Sequence, residues 1–310
     1  MNFLDYAIII LYIGGFLYLG YRFKNQSDKN DYYLGGRSFG WFPLGLSIMA
    51  TQMSTISFIS APAFAGYKAG GGLQWLTYGF AVPIAMIFLM TVIIPPLYKS
   101  GIVSVYEFLE RRFSKVTRLL SSLVFMMSRS FATGVMVYAV AIMLMATIKI
   151  PFWQTIVLIG VTTLIFSLMG GMKAVVYGDA IQMIIIFLGL LVCFWYSLDE
   201  VGGWQAFTQA VDKDRLEIID FGSLGLLDGE QFGFWPMLLG GFFLYCSYYG
   251  TDQTQVQRSL SASSLDTVRR MLLFNGLLRF PMVMLFCLFG LAVGTVVHQH
   301  PELMRLIPAD

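Results

Sequence analysis

The sequence is short of charge. Lys, Arg, Asp and Glu make up 12% of its 310 residues, whereas soluble domains carry roughly 25%. The mean hydropathy is +0.71, and apolar stretches of about 20 residues, long enough to cross a bilayer core, recur along the chain. These features exclude an ordinary water-soluble domain and predict an all-α, polytopic membrane protein in contact with the lipid bilayer. The net charge of +2 is too small to indicate nucleic-acid binding.

Cysteine and histidine are scarce, which limits metal and redox chemistry. The three cysteines all lie in apolar stretches, without the spacing of a disulfide framework or zinc site: Cys193, Cys246 and Cys287. We interpret them as small buried apolar residues. The two histidines, His298 and His300, lie close to Glu302, where a solvated tail is a simpler interpretation than a metal site.

Motifs of membrane enzymes are absent as well. The sequence contains no HExxH or GxSxG motif and no carboxylate pair at helical spacing within an apolar stretch. Its polar residues instead fall near the middle of a few apolar stretches, where transporters bind ions and substrates. The sequence therefore indicates a transporter and not an enzyme.

Eight stretches have the length and composition of membrane spans. They cover residues 3–21, 41–65, 73–97, 118–147, 152–170, 176–198, 234–250 and 271–297. The first lacks a basic start and a cleavage site, so we interpret it as a span and not a signal peptide. One alternating set of connections, with Arg118 beside it, carries thirteen Lys and Arg residues against five in the other. This asymmetry places the first set in the cytoplasm and both termini outside, in the plasma membrane or a bacterial inner membrane.

The stretch ATQMSTISFIS at residues 50–60 puts many polar side chains inside the second predicted span. Serine and threonine weaken a helix because their hydroxyls compete for backbone groups, and Pro62 follows. If the helix opens here, its carbonyls are free to bind a small hard cation. The alternative is that the hydroxyls only join neighbouring helices. Gln52 favours the first interpretation, because a buried amide needs a partner.

Besides Asp5 and Arg118, which lie at the ends of their spans, three charged residues fall inside the predicted spans. Asp179 lies six residues beyond Lys173, or roughly 9 Å along a helix, within the inner leaflet. It could bind sodium, carry a proton or pair with an arginine. Of the two arginines within spans, Arg129 lies deeper than Arg279 and is the stronger functional candidate.

Four motifs resemble one family. DYYLGGRSFGWFPLGLSIMATQMSTISFISAPA, SGIVSVYEFLERRF, MGGMKAVVYGDAIQM and YYGTDQTQVQR occur in this order. The chain resembles the sodium/solute symporters, above all their iodide, monocarboxylate and multivitamin branch, with similarity to the sialic acid branch. The resemblance implies a leucine-transporter-type inverted-repeat fold within one transmembrane domain, residues 1–310. Residues 3–21 would be a leader helix, 41–198 the first repeat and 234–297 the start of an incomplete second repeat. Further C-terminal helices of the same fold are then expected as partners.

The resemblance also implies site residues, with Na⁺ as the coupling ion. The sodium candidates, by backbone carbonyl or side chain, are Ala50, Met53, Ser54 and Asp179. The substrate candidates are Gln52, Ser54, Ser57, Trp75, Tyr78, Arg129 and Tyr245. Gln253, Gln257 and Arg258 would lie at the cytoplasmic end, with gating or structural roles.

The implied function is sodium-coupled symport of a small organic solute or anion. Two alternatives are a membrane sensor or binding module with the same fold and no transport, and a structural partner. The structural alternative predicts that Gln52 and Asp179 tolerate apolar replacement.

Overall fold

The computed structural model describes residues 3–53, 55–222 and 233–306. Over these ranges the chain forms thirteen α-helices, short 3₁₀ turns, one π-helical segment (Leu89–Ile93) and no β-strand. The helices are α1 (Phe3–Arg22), α2 (Lys29–Leu34), α3 (Trp41–Gln52), α4 (Thr55–Gly66), α5 (Thr77–Phe88), α6 (Ile94–Lys99), α7 (Val105–Arg112), α8 (Lys115–Ile148), α9 (Phe152–Val201), α10 (Trp204–Ala210), α11 (Phe234–Thr251), α12 (Gln253–Leu260) and α13 (Leu265–Gln299). The all-α architecture predicted from the apolar stretches is confirmed.

Five helical segments among the described residues are long and apolar enough to cross a membrane, or six if α3 and residues 57–66 of α4 form one broken span. One of the five is α9, which at 50 residues contains both the fifth and sixth predicted spans. The predicted connection at 171–175 reduces to one non-helical residue, Gly171, with φ 54° and ψ −153°. Glycine adopts this backbone without a side-chain clash, so the two spans follow each other directly.

The region after the seventh predicted span differs from expectation. The sequence predicts a connection over 251–270, whereas the structure places α12 within it. Helix α11 ends at Thr251, and Asp252 caps the next helix by accepting a hydrogen bond from the amide of Thr254 at 2.8 Å. Aspartate is a favoured N-cap because its carboxylate satisfies an otherwise unpaired amide. The helix was missed because it is short and polar and carries no span-length apolar signal.

The chain divides into two compact units. The first contains Met1–Thr55, Met90–Gln182 and Tyr249–Met271. In it α12 packs against α2, α3 and α6, and its core includes the fully buried side chains of Leu34, Leu44 and Ile48, with Val256 from α12. The first unit therefore surrounds a short polar helix with longer apolar ones.

The second unit contains Ile56–Leu89, Met183–Tyr248 and Leu272–Asp310. Here α4 and α13 approach so closely that a Cβ added at Gly66 would overlap the carbonyl oxygen of Gly290. A Cβ at Gly290 would in turn overlap the backbone of Pro62, and one at Gly294 would overlap Gly66. Small residues allow helix backbones to meet in this way, so the glycines determine how near these two helices can lie.

Candidate functional site

Helix α3 ends inside the polar stretch that the sequence singles out. Met53 leaves the helical conformation, with φ −80° and ψ 86°, and its amide donates to the carbonyls of Met49 and Ala50, both at 3.1 Å. The predicted opening of the helix is therefore present. A carbonyl oxygen has two lone pairs, so the bond from Met53 leaves the Ala50 carbonyl able to accept a second partner. Ser54 lies outside the described residues.

Gln52 has the partner that a buried amide needs. Its Oε1 accepts a hydrogen bond from the hydroxyl of Tyr249, whose side chain is almost fully buried. Both residues belong to the first unit. Because an unsatisfied amide in an apolar setting is costly, this contact accounts for the position of Gln52 without a substrate. A substrate role for Gln52 stays a prediction.

Asp179 pairs with an arginine, one of the three possibilities that the sequence leaves open. Its Oδ2 accepts hydrogen bonds from Arg258 Nη2 and from Ser47 Oγ, both at 2.6 Å. Arg258 Nε donates to the same Ser47 hydroxyl at 2.7 Å. The three side chains thus form a closed ring that joins α3, α9 and α12. The side chains of Arg258 and Asp179 are only 9% and 19% exposed, so the pair is shielded from water.

Helix α12 is held by further polar contacts within the first unit. Gln253 Oε1 accepts from the amide of Val105 at 2.9 Å, and Gln257 Nε2 donates to the carbonyl of Tyr33 at 2.7 Å. Gln255 is fully buried, and its side-chain amide makes no hydrogen bond within the described part of the chain. Burying such a group is unfavourable, whereas the other two glutamines fix the position of the helix.

Arg129 is also directed at α12. Its Nη2 donates to Thr254 Oγ1 at 2.8 Å, and its Nη1 lies 3.6 Å from Asp252 Oδ2. The guanidinium therefore contacts the N-terminal end of α12, where Asp252 serves as the cap. Its predicted contact with substrate is untested by this geometry and stays a prediction.

The remaining substrate candidates lie in the second unit. Ser57 is half-buried on α4, and the ring of Trp75 lies 5.8 Å from that of Tyr78. Tyr245 is buried on α11, with the Arg279 guanidinium 5.2 Å from the centre of its ring. This distance is that of a cation–π contact. Arg279, the shallower of the two arginines within the predicted spans, thus lies against a predicted substrate residue.

Asp31 and Tyr106, which lie outside the predicted spans, have shifted pKa values. The Lys173 ammonium, 2.6 Å from Asp31, holds the pKa of that carboxyl below its ordinary value of 3.8. Burial raises the pKa of Tyr106 to about 12, and the nearby Asp252 carboxylate adds to the effect. Both groups therefore keep one charge state at neutral pH, so neither is suited to exchanging protons there.

The oxygen donors around α3 are of the types that a small hard cation prefers. No group of three His, Cys, Asp or Glu side chains converges within the described residues, which disfavours a transition-metal site there. Sodium-like cations instead take carboxylate, hydroxyl and carbonyl oxygens. Asp179, Ser47 and the carbonyls near Met53 provide these atom types.

Comparison with known proteins assigns the family. A sequence model described as the sodium:solute symporter family matches residues 32–307. The chain belongs to this family. The resemblance read from the four motifs is therefore confirmed.

Related proteins are named as sodium-coupled transporters and not as enzymes. The sodium-coupled monocarboxylate transporter 2 of Danio rerio is 30% identical over 278 residues, covering 89% of this chain and 43% of the relative. The human sodium/iodide cotransporter is 30% identical over 275 residues, covering 87% and 41%. The chain thus spans less than half the length of these relatives.

A solved structure supports the fold. That of a Na⁺-coupled sialic acid symporter, in a substrate-bound outward-open state, matches with a TM-score of 0.89 and 27% identity. The match covers 99% of this chain and 63% of the other. The leucine-transporter-type fold predicted from the resemblance is confirmed.

Sequence reasoning missed two residues that the structure places at these contacts, Ser47 and Tyr249, and it did not predict the pairing of Arg258 with Asp179. Ser47 lies four positions before Thr51, and Thr51 Oγ1 donates to the Ser47 carbonyl at 2.8 Å. This spacing puts both on one face of α3, a signal that could have extended the polar stretch backwards. Arg258 was placed at the cytoplasmic end, and Tyr249 was passed over for Tyr245. The pairing of Arg258 with Asp179 and that of Tyr249 with Gln52 both depend on how the helices pack, which the sequence does not show.

Proposed function

We propose that the chain provides ion- and substrate-binding elements of a sodium-coupled symporter for a small anion or organic solute. The observation that carries this proposal is the family match over residues 32–307, with a helix that ends at Met53 within the matched region. In this proposal the carbonyls of Ala50 and Met53, with Ser54, hold one sodium ion. Asp179 takes part in a second.

Substrate binding is proposed for Gln52, Ser54, Ser57, Trp75, Tyr78, Arg129 and Tyr245. The relatives named for monocarboxylate and iodide support an anionic substrate for this chain. The Arg279 guanidinium, which lies within the apolar helix α13 and against the ring of Tyr245, adds positive charge that favours an anion. The sodium gradient would supply the energy, because each charge that crosses 100 mV releases about 2.3 kcal/mol.

The proposed organisation follows the resemblance. Residues 3–21 would be the leader helix, 41–198 the first repeat and 234–297 part of the second. Both termini of the chain would lie outside the plasma membrane, as the distribution of Lys and Arg favours.

The test is uptake into proteoliposomes that contain the protein. L-lactate, iodide and glucose would each be supplied with a sodium gradient or with choline in place of sodium. We expect sodium-dependent uptake of lactate or iodide, and a weaker sodium dependence for Asp179→Asn. Uptake that does not depend on sodium would overturn the proposal. Sodium-dependent binding of the solute without uptake would favour the sensor alternative.

Ser57 provides a separate test of the substrate candidates. If its hydroxyl contacts substrate, Ser57→Ala changes the concentration of substrate that half-saturates uptake. Ser60→Ala, in the same helix, is the matched control. An unchanged half-saturating concentration for Ser57→Ala would assign that hydroxyl to packing.

A further inference from the structure

The ring formed by Ser47, Asp179 and Arg258 is complete in its hydrogen bonds. The Ser47 hydroxyl donates its one proton to Asp179 and accepts from Arg258 Nε, while Arg258 Nη2 donates to the same Asp179 oxygen. The remaining guanidinium nitrogen, Nη1, donates to the carbonyl of Thr254. Each of the three guanidinium nitrogens thus donates one hydrogen bond, and the charge of Asp179 is neutralised by a side chain of the protein.

The same two oxygens are the kind that a sodium ion takes. A carboxylate and a hydroxyl are hard oxygen ligands, but here both face the guanidinium. Two cations a few ångströms apart repel strongly where water is excluded. Asp179 Oδ2 can therefore bind either the Arg258 guanidinium or a sodium ion, but not both at once.

A purely structural role is the competing explanation for this ion pair. Buried ion pairs are a weak source of stability, because the loss of hydration cancels much of the attraction. Helix α12 also has other anchors, which are the contacts of Gln253 with Val105 and of Gln257 with Tyr33. An exchangeable role therefore explains the pair better than anchoring alone.

We propose that Arg258 is a tethered cation that occupies Asp179 in place of sodium, so that sodium binding displaces the guanidinium and releases one anchor of α12. This inference rests on the proposed sodium coupling. It makes Arg258 a residue that determines sodium affinity at Asp179 by competition, and it links occupancy of the ion site to the mobility of a short helix. No bond other than hydrogen bonds and ion pairs changes in the exchange.

The experiment measures sodium binding to the purified protein in lipid nanodiscs, as the sodium-dependent shift of the unfolding temperature at constant ionic strength with choline. If Arg258 occupies Asp179 in most molecules, only the remaining fraction can bind sodium, and the apparent sodium affinity is reduced by that fraction. Removing Arg258 makes every site available and so raises the apparent affinity by the inverse of that fraction. We expect Arg258→Gln to bind sodium about tenfold more tightly than the unmodified protein. Adding Asp179→Asn to this variant should abolish the gain.

Two control variants distinguish competition at Asp179 from the loss of a positive charge elsewhere and from the loss of a different anchor of α12. Arg270→Gln removes a positive charge from the exposed pair with Asp266, in which both side chains are 65% exposed. Gln257→Ala removes another anchor of α12 and leaves Asp179 paired. Neither should raise sodium affinity. Guanidinium chloride at millimolar concentration should compete with sodium in Arg258→Ala, because it replaces the missing group, and a structural role would not produce this competition.

The outcomes distinguish this inference from the proposed function. If the unmodified protein responds to sodium but Arg258→Gln binds it equally or less tightly, the competition is overturned and sodium coupling stands. If no variant responds to sodium, both are overturned.

A measurement on the unmodified protein covers the case in which Arg258→Gln does not fold. Hydrogen exchange of the amides in residues 253–260 should become faster when sodium is added, because α12 loses the anchor that Arg258 provides. Asp179→Asn should remove this response to sodium. Exchange that slows or does not change on addition of sodium contradicts the release of α12.

Discussion

In the first unit α12 meets α3 and α9 through charged and hydroxyl side chains, whereas in the second unit α4 meets α13 through glycine backbones. The ring of Ser47, Asp179 and Arg258 consists of side-chain hydrogen bonds and one ion pair. The contact of Gly66 with Gly290 leaves no room for a side chain. Polar contacts of this kind permit exchange without moving a backbone, whereas the glycine contact permits no exchange unless a helix moves.

The largest expected effect on the free energy of unfolding comes from removing the carboxylate of the Asp179–Arg258 ion pair. Asp179→Ala leaves the Arg258 guanidinium buried without its carboxylate, which costs about 3 kcal/mol of the free energy of unfolding. Asp266→Ala is the control, because its exposed pair with Arg270 contributes about 0.5 kcal/mol or less. Unfolding of both variants would be measured in the same detergent. Equal stabilities for the two variants would contradict the buried character of the Asp179 pair.

An added methyl group at the close contact of α4 and α13 should lower the free energy of unfolding by nearly as much. Gly66→Ala forces the two backbones apart, because the new Cβ would overlap the Gly290 carbonyl oxygen. We expect a loss of about 2 kcal/mol from overpacking. Gly189→Ala, a site with no atom within 4 Å of the added Cβ, should instead leave the stability unchanged or raise it by up to about 1 kcal/mol. A loss at both positions would mean that the effect is not steric.

A single hydrogen bond in the first unit should contribute less. Tyr249→Phe removes the hydroxyl that donates to Gln52 Oε1 and keeps the buried ring. The expected loss is about 1 kcal/mol, the usual contribution of one hydrogen bond. Tyr18→Phe changes an exposed tyrosine on α1 and should shift the free energy of unfolding by less than about 0.5 kcal/mol. A larger effect of Tyr18→Phe would disprove this ranking.

The smallest effect concerns the ion pair of Asp31 with Lys173. Because Lys173 lowers the pKa of Asp31 in the folded state, the pair stabilises the protein above the ordinary aspartate pKa of 3.8. The stabilisation is lost as the pH falls through the lowered value. We expect a contribution of about 1 kcal/mol or less, since the pair is partly exposed. Unfolding temperatures measured across this pH range should fall less steeply for Asp31→Asn, and equal slopes would contradict the shift.

Sequence patterns predicted the features that depend on composition along the chain. The length of the apolar stretches predicted the long helices, because an apolar segment in a bilayer must satisfy its own backbone. The run of hydroxyl residues before Pro62 predicted the end of α3 near Met53. Residue types alone also indicated that Gln52 needs a hydrogen-bond partner and that Asp179 is an unusual residue for a membrane span. Helix α12 escaped prediction because its eight residues are polar, and tertiary contacts, not composition, hold it in place.

The partners themselves depend on which helices pack together. From the sequence, Asp179 could have bound an ion, carried a proton or paired with an arginine. It pairs with Arg258, which is 79 positions away, and also contacts Ser47, which is 132 positions away. Arg129, the stronger functional candidate, is directed at Asp252 and Thr254. The sequence by itself determined the fold class, the family and the polar residues that require partners, because these follow from local composition and motifs. Only the tertiary structure decided that the buried carboxylate faces an arginine, because that choice depends on the packing of α12 against α3.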